Sequence, residues 1–231
     1  MIGIIGAMEQ EVARLKEVMT DVSVTEAASM EFYKGKLNGT DAVVVQAGVG
    51  KVNAACCTQA LIDHFPVTCV INTGIAGSLK NQIDIGDVVL ATDAVEHDMD
   101  ASIFGYDAGQ VPGIPVRFFE ADAKLRQIAK ESCLAVNPDI HVYEGRVVTG
   151  DQFISDKEKK KWLTDTFDGW CTEMEGAAIA HAAYLNKVPF LIVRAISDKA
   201  DDSAEMDYPA FEAKAIEHSV RLMIEMAGRL K

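Results

Sequence analysis

The 231-residue chain is long enough for one sizeable α/β domain, and its 49% hydrophobic and 25% charged residues are those of an ordinary soluble protein. With 22 Lys and Arg against 35 Asp and Glu, the net charge of −13 argues against nucleic acid or an anionic membrane surface as a partner. Five cysteines in no CxxC or zinc spacing fit a reducing compartment. No run reaches transmembrane length and the start lacks a basic signal-peptide region, so a cytoplasmic chain folding as a single domain over residues 1–231 is expected.

Residues 2–5 read as a short buried strand stopped at Gly6-Ala7, and a helix begins near Glu9 with Val12, Leu15 and Val18 inward. Glu9 and Glu11 then sit at a strand-to-helix turn, where an acid either serves the helix dipole or acts on a ligand. Phosphate sites place glycines and cations at such a turn, whereas GAMEQE would repel an anion, so water suits it better as a co-substrate. Residues 31–37 and 41–46 read as strands joined by an Asn38-Gly39 hairpin. Gly48-Val49-Gly50-Lys51 opens a helix over 52–65. It lacks the P-loop spacing, since Val45 and Val52 occupy the required Gly and Ser/Thr places, and it implies only a close approach of backbone to a ligand.

Residues 67–72 form another apolar strand, followed by the small-residue loop Thr73-Gly74-Ile75-Ala76-Gly77, and residues 86–92 form one more. This order predicts a mixed sheet and not a dinucleotide-binding repeat. Residues 93–121 read as a long irregular segment whose Phe104, Tyr106, Pro112, Phe118 and Phe119 suit a dimer interface. Within it, Glu96-His97-Asp98-Met99-Asp100 offers one histidine among acids, too little for a metal site. A helix over 122–135 and a strand over 142–149 lead to Gly150-Asp151-Gln152-Phe153-Ile154. Phe153 there serves either the core or an aromatic base as a stacking platform. The basic run from Lys157 to Lys161 is read as a solvated helix face.

Residues 170–202 carry the chemistry. Glu173 and Glu175 flank Met174, and on an extended segment they face the same side. The helix that follows, 176–185, is apolar nearly all round and therefore buried, with Glu175 at its positive end. FLIVRAI over 190–196 is a central-strand pattern interrupted by Arg194, whose guanidinium needs a carboxylate or a polar cleft. Asp198 follows with Ser197 beside it, where ligands bind in open α/β sheets. Each acid alone reads equally as a cap or turn residue. Together with Arg194 they make a charge cluster that is expensive unless a ligand uses it. An amphipathic helix over 207–230 closes the chain, preceded by a polar stretch over 203–206 that reads as a candidate lid.

With GAMEQEV, QAGVGKVNAA, NTGIAGSL, FGYDAGQVPG, VTGDQFI, TEMEGAAIAH and VRAISDKAD in this order, the sequence resembles the bacterial 5′-methylthioadenosine/S-adenosylhomocysteine nucleosidases nearly end to end. The resemblance implies a three-layer α/β/α fold around a central twisted mixed β-sheet, nucleoside phosphorylase-like. It also implies a homodimer, no cofactor and no metal, and hydrolysis of adenine nucleosides in methionine salvage. It makes Asp198 the acid that protonates adenine N7, oriented by Ser197, and Glu11 the group that activates the attacking water. Glu175 becomes the partner of the ribose hydroxyls, with Met174 under the sugar and Glu173 and Arg194 on the same side. Phe153 and the Ile154 backbone would hold the adenine, with Ala76 and Gly77 lining the pocket. Met8, Val49 and Tyr208 would line the sugar and alkylthio side, and Phe104 and Pro112 would come from the other subunit. Ile75 stands where many members carry a small polar residue, and Tyr208 where phenylalanine is frequent. A purine nucleoside phosphorylase, a futalosine-type hydrolase and a non-catalytic nucleoside-binding module are the alternatives.

Overall fold

The computed structural model describes residues 1–201 and 204–230, and for 205–207 and 209 the backbone alone. Helices and strands alternate in the order β1 (Ile2–Gly6), α1 (Glu9–Val18), β2 (Thr20–Ala27), β3 (Met30–Leu37), β4 (Thr40–Gln46), α2 (Lys51–His64), β5 (Cys69–Ser78), β6 (Val88–Glu96), β7 (Phe119–Glu120), α3 (Ala123–Val136), β8 (Val142–Thr149), α4 (Lys157–Phe167), β9 (Gly169–Glu173), α5 (Gly176–Asn186), β10 (Phe190–Asp198) and α6 (Ala204–Arg229). The strands form one mixed sheet in the order β10-β6-β8-β9-β5-β1-β4-β3-β2, with β7 on β6. Strand β10 also pairs with β5, so β10, β6, β8, β9 and β5 close on themselves while the remaining strands run out as an open sheet. Helices α1, α3 and α6 pack together, α2 packs with α5, and both groups contact the strands, giving the expected α/β/α layering.

The wholly buried β1 and β10 are the continuous apolar runs of strands covered on both faces. Asn38 and Gly39 take φ of 47° and 82°, the pair of left-handed residues that a tight hairpin between β3 and β4 demands. Helix α5 is buried through Gly176, Ala177, Ala178, Ile179, Ala180 and Ala183, as its composition requires.

Three expectations are corrected. Residues 73–77 are not a loop: β5 runs on to Ser78 with all ten residues buried, because β10 pairs along it from Val70 to Gly77 and β9 joins at Gly77 and Ser78. The irregular segment is shorter than read, since β6 extends to Glu96 and β7 adds a two-residue pairing, with a single 3-10 turn at Ser102–Phe104. The basic run does lie on a helix, α4, but Lys160 is folded inward. Its Nζ donates to the Lys199 carbonyl at 2.5 Å and sits 3.4 Å from Asp201, tying α4 to the turn after Asp198. Ser203, where the lid was expected to begin, lies outside the described residues, and α6 takes in Ala204 onward.

Candidate active site

The turn from β1 into α1 fixes Glu11. Its Oε2 accepts the backbone N–H groups of Ala7 at 2.7 Å and Met8 at 3.0 Å, and its Oε1 accepts that of Ile75 at 3.1 Å. Met8 is the N-cap, so Glu11, the third residue of the helix, reaches back to satisfy a donor that the helix leaves orphaned, as the acid of a capping box does. Burial pushes the Glu11 carboxyl above its ordinary range, opposed by Arg194 and by those three N–H groups.

Arg194 lies on β10 opposite Gly74 of β5 and is 1% exposed. A Cβ on Gly74 would run into both Arg194 Nη1 and Glu11 Oε1, so the bare glycine lets the two side chains meet over the strand. The guanidinium bonds Glu173, Asn72 Oδ1 at 2.5 Å and the Ile75 carbonyl at 3.3 Å, and its Nη2 stands 3.6 Å from Glu175 Oε2. Asn72 was not anticipated as a site residue. Its signal was a lone amide ending an apolar strand run, and such a group is buried only with partners.

The two glutamates do not share one extended segment. Glu173 ends β9, while Glu175 is the N-cap of α5, with φ −132° and ψ −36°. They converge on Arg194 all the same. Glu173 caps α5, accepting the N–H groups of Gly176 at 2.7 Å and Glu175 at 3.2 Å, and it also takes the hydroxyl of Thr149. Thr149, also unanticipated, accepts Ala177 N–H at 2.8 Å. Glu175 is left with one backbone donor, Gly50 N–H, at 2.8 Å to Oε1. Burial first and the Glu173 charge second lift its carboxyl to about 7, against the pull of Arg194.

Asp198 belongs to β10 itself and not to the loop beyond. A bulge between Ile196 and Asp198 shifts the register so that Asp198 faces Gly77, re-aiming the side chain. Its Oδ2 accepts the Ser197 hydroxyl at 2.9 Å and its Oδ1 the Ala200 N–H at 2.8 Å.

These groups open onto one cleft with a cavity volume of about 220 Å³. Glu11, Glu173, Glu175 and Asp198 line it with Arg194 and Ser197, and so do Met8, Val49, Ala76, Gly77, Phe153, Met174 and Tyr208. Ala7, Ile75 and Thr172 complete the wall. Ile154 lies in an adjoining recess shared with Gly77, Phe153 and Asp198. Phe153 is half exposed and meets Tyr208 edge to face at 5.8 Å, while the Tyr208 hydroxyl donates to Glu212 at 3.1 Å and lies 3.6 Å from Met8 Sδ. Phe104 and Pro112 are exposed and do not line the cleft of this chain.

Among the described residues no three His, Cys, Asp or Glu side chains converge as a metal site. Within the segment from Glu96 to Asp100, His97 is buried against Gly150 and Trp162, and Asp98 is paired with Lys51.

The family model described as "Phosphorylase superfamily" matches residues 1–227. The chain is 43% identical to the 5′-methylthioadenosine/S-adenosylhomocysteine nucleosidase of Exiguobacterium sp. AT1b, over 100% of this chain and 98% of that one. Among solved structures it is similar to the corresponding nucleosidase of Colwellia psychrerythraea in complex with adenine, at 40% identity and a TM-score of 0.95 over 100% and 95% of the two chains. The Neisseria meningitidis nucleosidase in complex with methylthio-immucillin-A matches at 37% identity and a TM-score of 0.94 over 99% and 98%. Coverage of this extent, with the acidic cleft in place, identifies the chain as a member of the 5′-methylthioadenosine/S-adenosylhomocysteine nucleosidases within the phosphorylase superfamily.

Proposed function

We propose that the cleft breaks the N-glycosidic bond of 5′-methylthioadenosine and S-adenosylhomocysteine by protonating adenine at Asp198 and capturing the sugar with water at Glu11. As a member of the nucleosidases the chain is a glycosidic-bond hydrolase, releasing adenine and the 5-substituted ribose. Cleavage of the C1′–N9 bond leaves its electron pair on the purine and positive charge on the sugar. Asp198, steadied by Ser197 and Ala200, delivers the proton to N7 that neutralises the departing adenine. Glu175 accepts from the ribose hydroxyls and, with Glu173 beyond it, offsets the oxocarbenium charge. Glu11 takes the proton of the water that bonds to C1′, a task suited to a carboxylate whose burial has raised its basicity.

One observation carries the choice of water over phosphate. Among the described residues the cleft wall holds four carboxylates and a single cation, Arg194, which Glu173, Asn72 and Ile75 already engage, so a phosphate would meet repulsion with no clamp. The same reading takes residues 1–231 as one nucleosidase domain and the working unit as a homodimer, with Phe104 and Pro112 of each protomer reaching its partner's cleft. The large exposure of Ile103 and Phe104 supports this. The test is to incubate the protein with 5′-methylthioadenosine with and without phosphate. Adenine and free 5-methylthioribose are expected in both cases. Release only with phosphate, as a sugar 1-phosphate, would make the protein a phosphorylase, and binding without release would make it a nucleoside-binding module.

A further inference from the structure

Among the described residues Glu175 takes its one backbone hydrogen bond from a glycine N–H, and a glycine with no side-chain anchor of its own does not hold a position unaided. Gly50 is the N-cap of α2, at φ 97° and ψ 161°, with no side-chain cap. What fixes it is a closed ring of three residues from three separate segments. Lys51 N–H donates to Asp151 Oδ1 at 2.8 Å, Asp151 N–H donates to Asp98 Oδ2 at 3.0 Å, and Lys51 Nζ returns to Asp98 Oδ1 at 2.6 Å. Asp98 follows β6, Lys51 opens α2 and Asp151 follows β8, so the ring ties the ends of two strands to the start of a helix. Asp151 thereby caps α2 from another part of the chain, at the helix end that a carboxylate favours. Two residues after Asp151 comes Phe153 on the cleft wall, and one residue before Lys51 comes Gly50. None of the three ring residues lines the cleft. On the far side, Lys51 Nζ stands 3.7 Å from Glu96, which bonds His181 at 3.1 Å on α5, the helix that Glu175 begins.

We infer that Lys51, Asp98 and Asp151 form a positioning unit for the reaction, holding the Gly50 N–H on Glu175 and the Phe153 ring in one frame without touching the substrate. The inference rests on the role proposed above for Glu175. Its physical basis is that a ribose-binding carboxylate and an aromatic base platform must be fixed relative to each other, because small misplacements are costly in rate. The ring fixes them with two backbone N–H groups and one ion pair, all set on the same three segments. Four groups face Glu175: Glu173 from β9, Glu11 from α1, Arg194 from β10 and the Gly50 N–H. The first two disfavour its ionised form and the last two favour it, so releasing Gly50 shifts the balance toward the protonated acid.

The experiment uses the full chain with 5′-methylthioadenosine and compares Asp151→Ala, which deletes the acceptor, with Asp151→Asn, which keeps an acceptor oxygen for Lys51 N–H. In Asp151→Ala, kcat/KM should fall by about tenfold or more, and the acidic limb of its pH profile should move up by about one pH unit. Asp151→Asn should recover most of both. An Asp151→Ala enzyme with the wild-type rate and profile would overturn the inference, and so would an Asp151→Asn enzyme as impaired as Asp151→Ala. If Asp151→Ala does not unfold cooperatively, Lys51→Met, which removes the Nζ contacts to Asp98 and Glu96 and keeps the backbone N–H on Asp151, carries the test. Its acidic limb should move in the same direction, and an unmoved limb overturns the inference. A wild-type protein inactive on every 5′-substituted adenosine would instead overturn the functional reading, and this inference with it.

Discussion

Glu175 shows what the site costs the fold. Burial first and the neighbouring Glu173 charge second lift the carboxyl of Glu175, the least bonded of the three acids around Arg194, from the ordinary 4.5 to about 7, because one guanidinium does not offset both. The folded chain therefore holds this proton more tightly than the unfolded chain does. The contribution of Glu175 to stability is full below about pH 4.5, declines as pH rises through that value, and has been lost once pH passes about 7. Glu175→Gln keeps an acceptor for Gly50 N–H and removes the charge. Denaturant unfolding should find it more stable than wild type above neutral pH by on the order of 1–3 kcal/mol, and equal to wild type only below about pH 4.5, where the wild-type carboxyl is protonated in both states. Turnover should fall by about a hundredfold or more, because the neutral amide offers the oxocarbenium charge nothing. Equal stability at both pH values would mean that Arg194 fully offsets the burial of this acid.

Strand β5 is the element on which the site turns, and its glycines are placed for the neighbouring strand's side chains and not for bends. A methyl at position 74 would meet Arg194 and Glu11, and one at position 77 would meet Asp198 Oδ1 at 2.7 Å and Ala200 Cβ at 2.8 Å. Gly74→Ala should destabilise the protein by about 1–3 kcal/mol through overpacking and lower kcat/KM by about a hundredfold by displacing the arginine and the acid together. A variant with near-normal turnover would show that Arg194 can shift without consequence. This also explains where the sequence was legible. The apolar runs of β1 and β10, the Asn38-Gly39 hairpin and the alanine-rich α5 each announce themselves through local pattern. Residues 73–77 contain two glycines and read as a loop, because the reason for those glycines lies more than a hundred residues away in Arg194 and Asp198. Strand β2 was missed for a different cause. It is exposed along nearly its whole length, its Val22 and Val24 included, and its turn into β3 uses Ala28 and Ser29 at φ 49° and 60°, where no glycine or asparagine signals it. Within the site, charged residues in apolar runs were visible, whereas Asn72, Thr149 and the Gly50 N–H act only through partners distant in sequence.

At the scale of the whole molecule, the rim of the cleft is open and apolar. Val49 and Phe153 on its rim are about half exposed, and the 3-10 turn after β6 holds Ile103 at 88% and Phe104 at 80% exposure. No helix among the described residues is long and apolar enough to cross a membrane, so that turn is not explained as part of a spanning helix. Two large adjacent apolar side chains turned to solvent are costly for a monomer. The proposed homodimer covers them by seating Phe104 against the partner's cleft, and this separates a residue's role in the assembly from its role in the fold. Phe104→Glu should leave the unfolding midpoint of the isolated chain nearly unchanged, since the side chain packs on little within its own protomer. Sedimentation should then show a monomer where the wild type sediments as a dimer. KM for 5′-methylthioadenosine should rise by about tenfold or more, the effect of removing one aromatic anchor from a desolvated interface. A Phe104→Glu protein that stays dimeric with a wild-type KM would place the subunit contact elsewhere and leave each cleft to work alone.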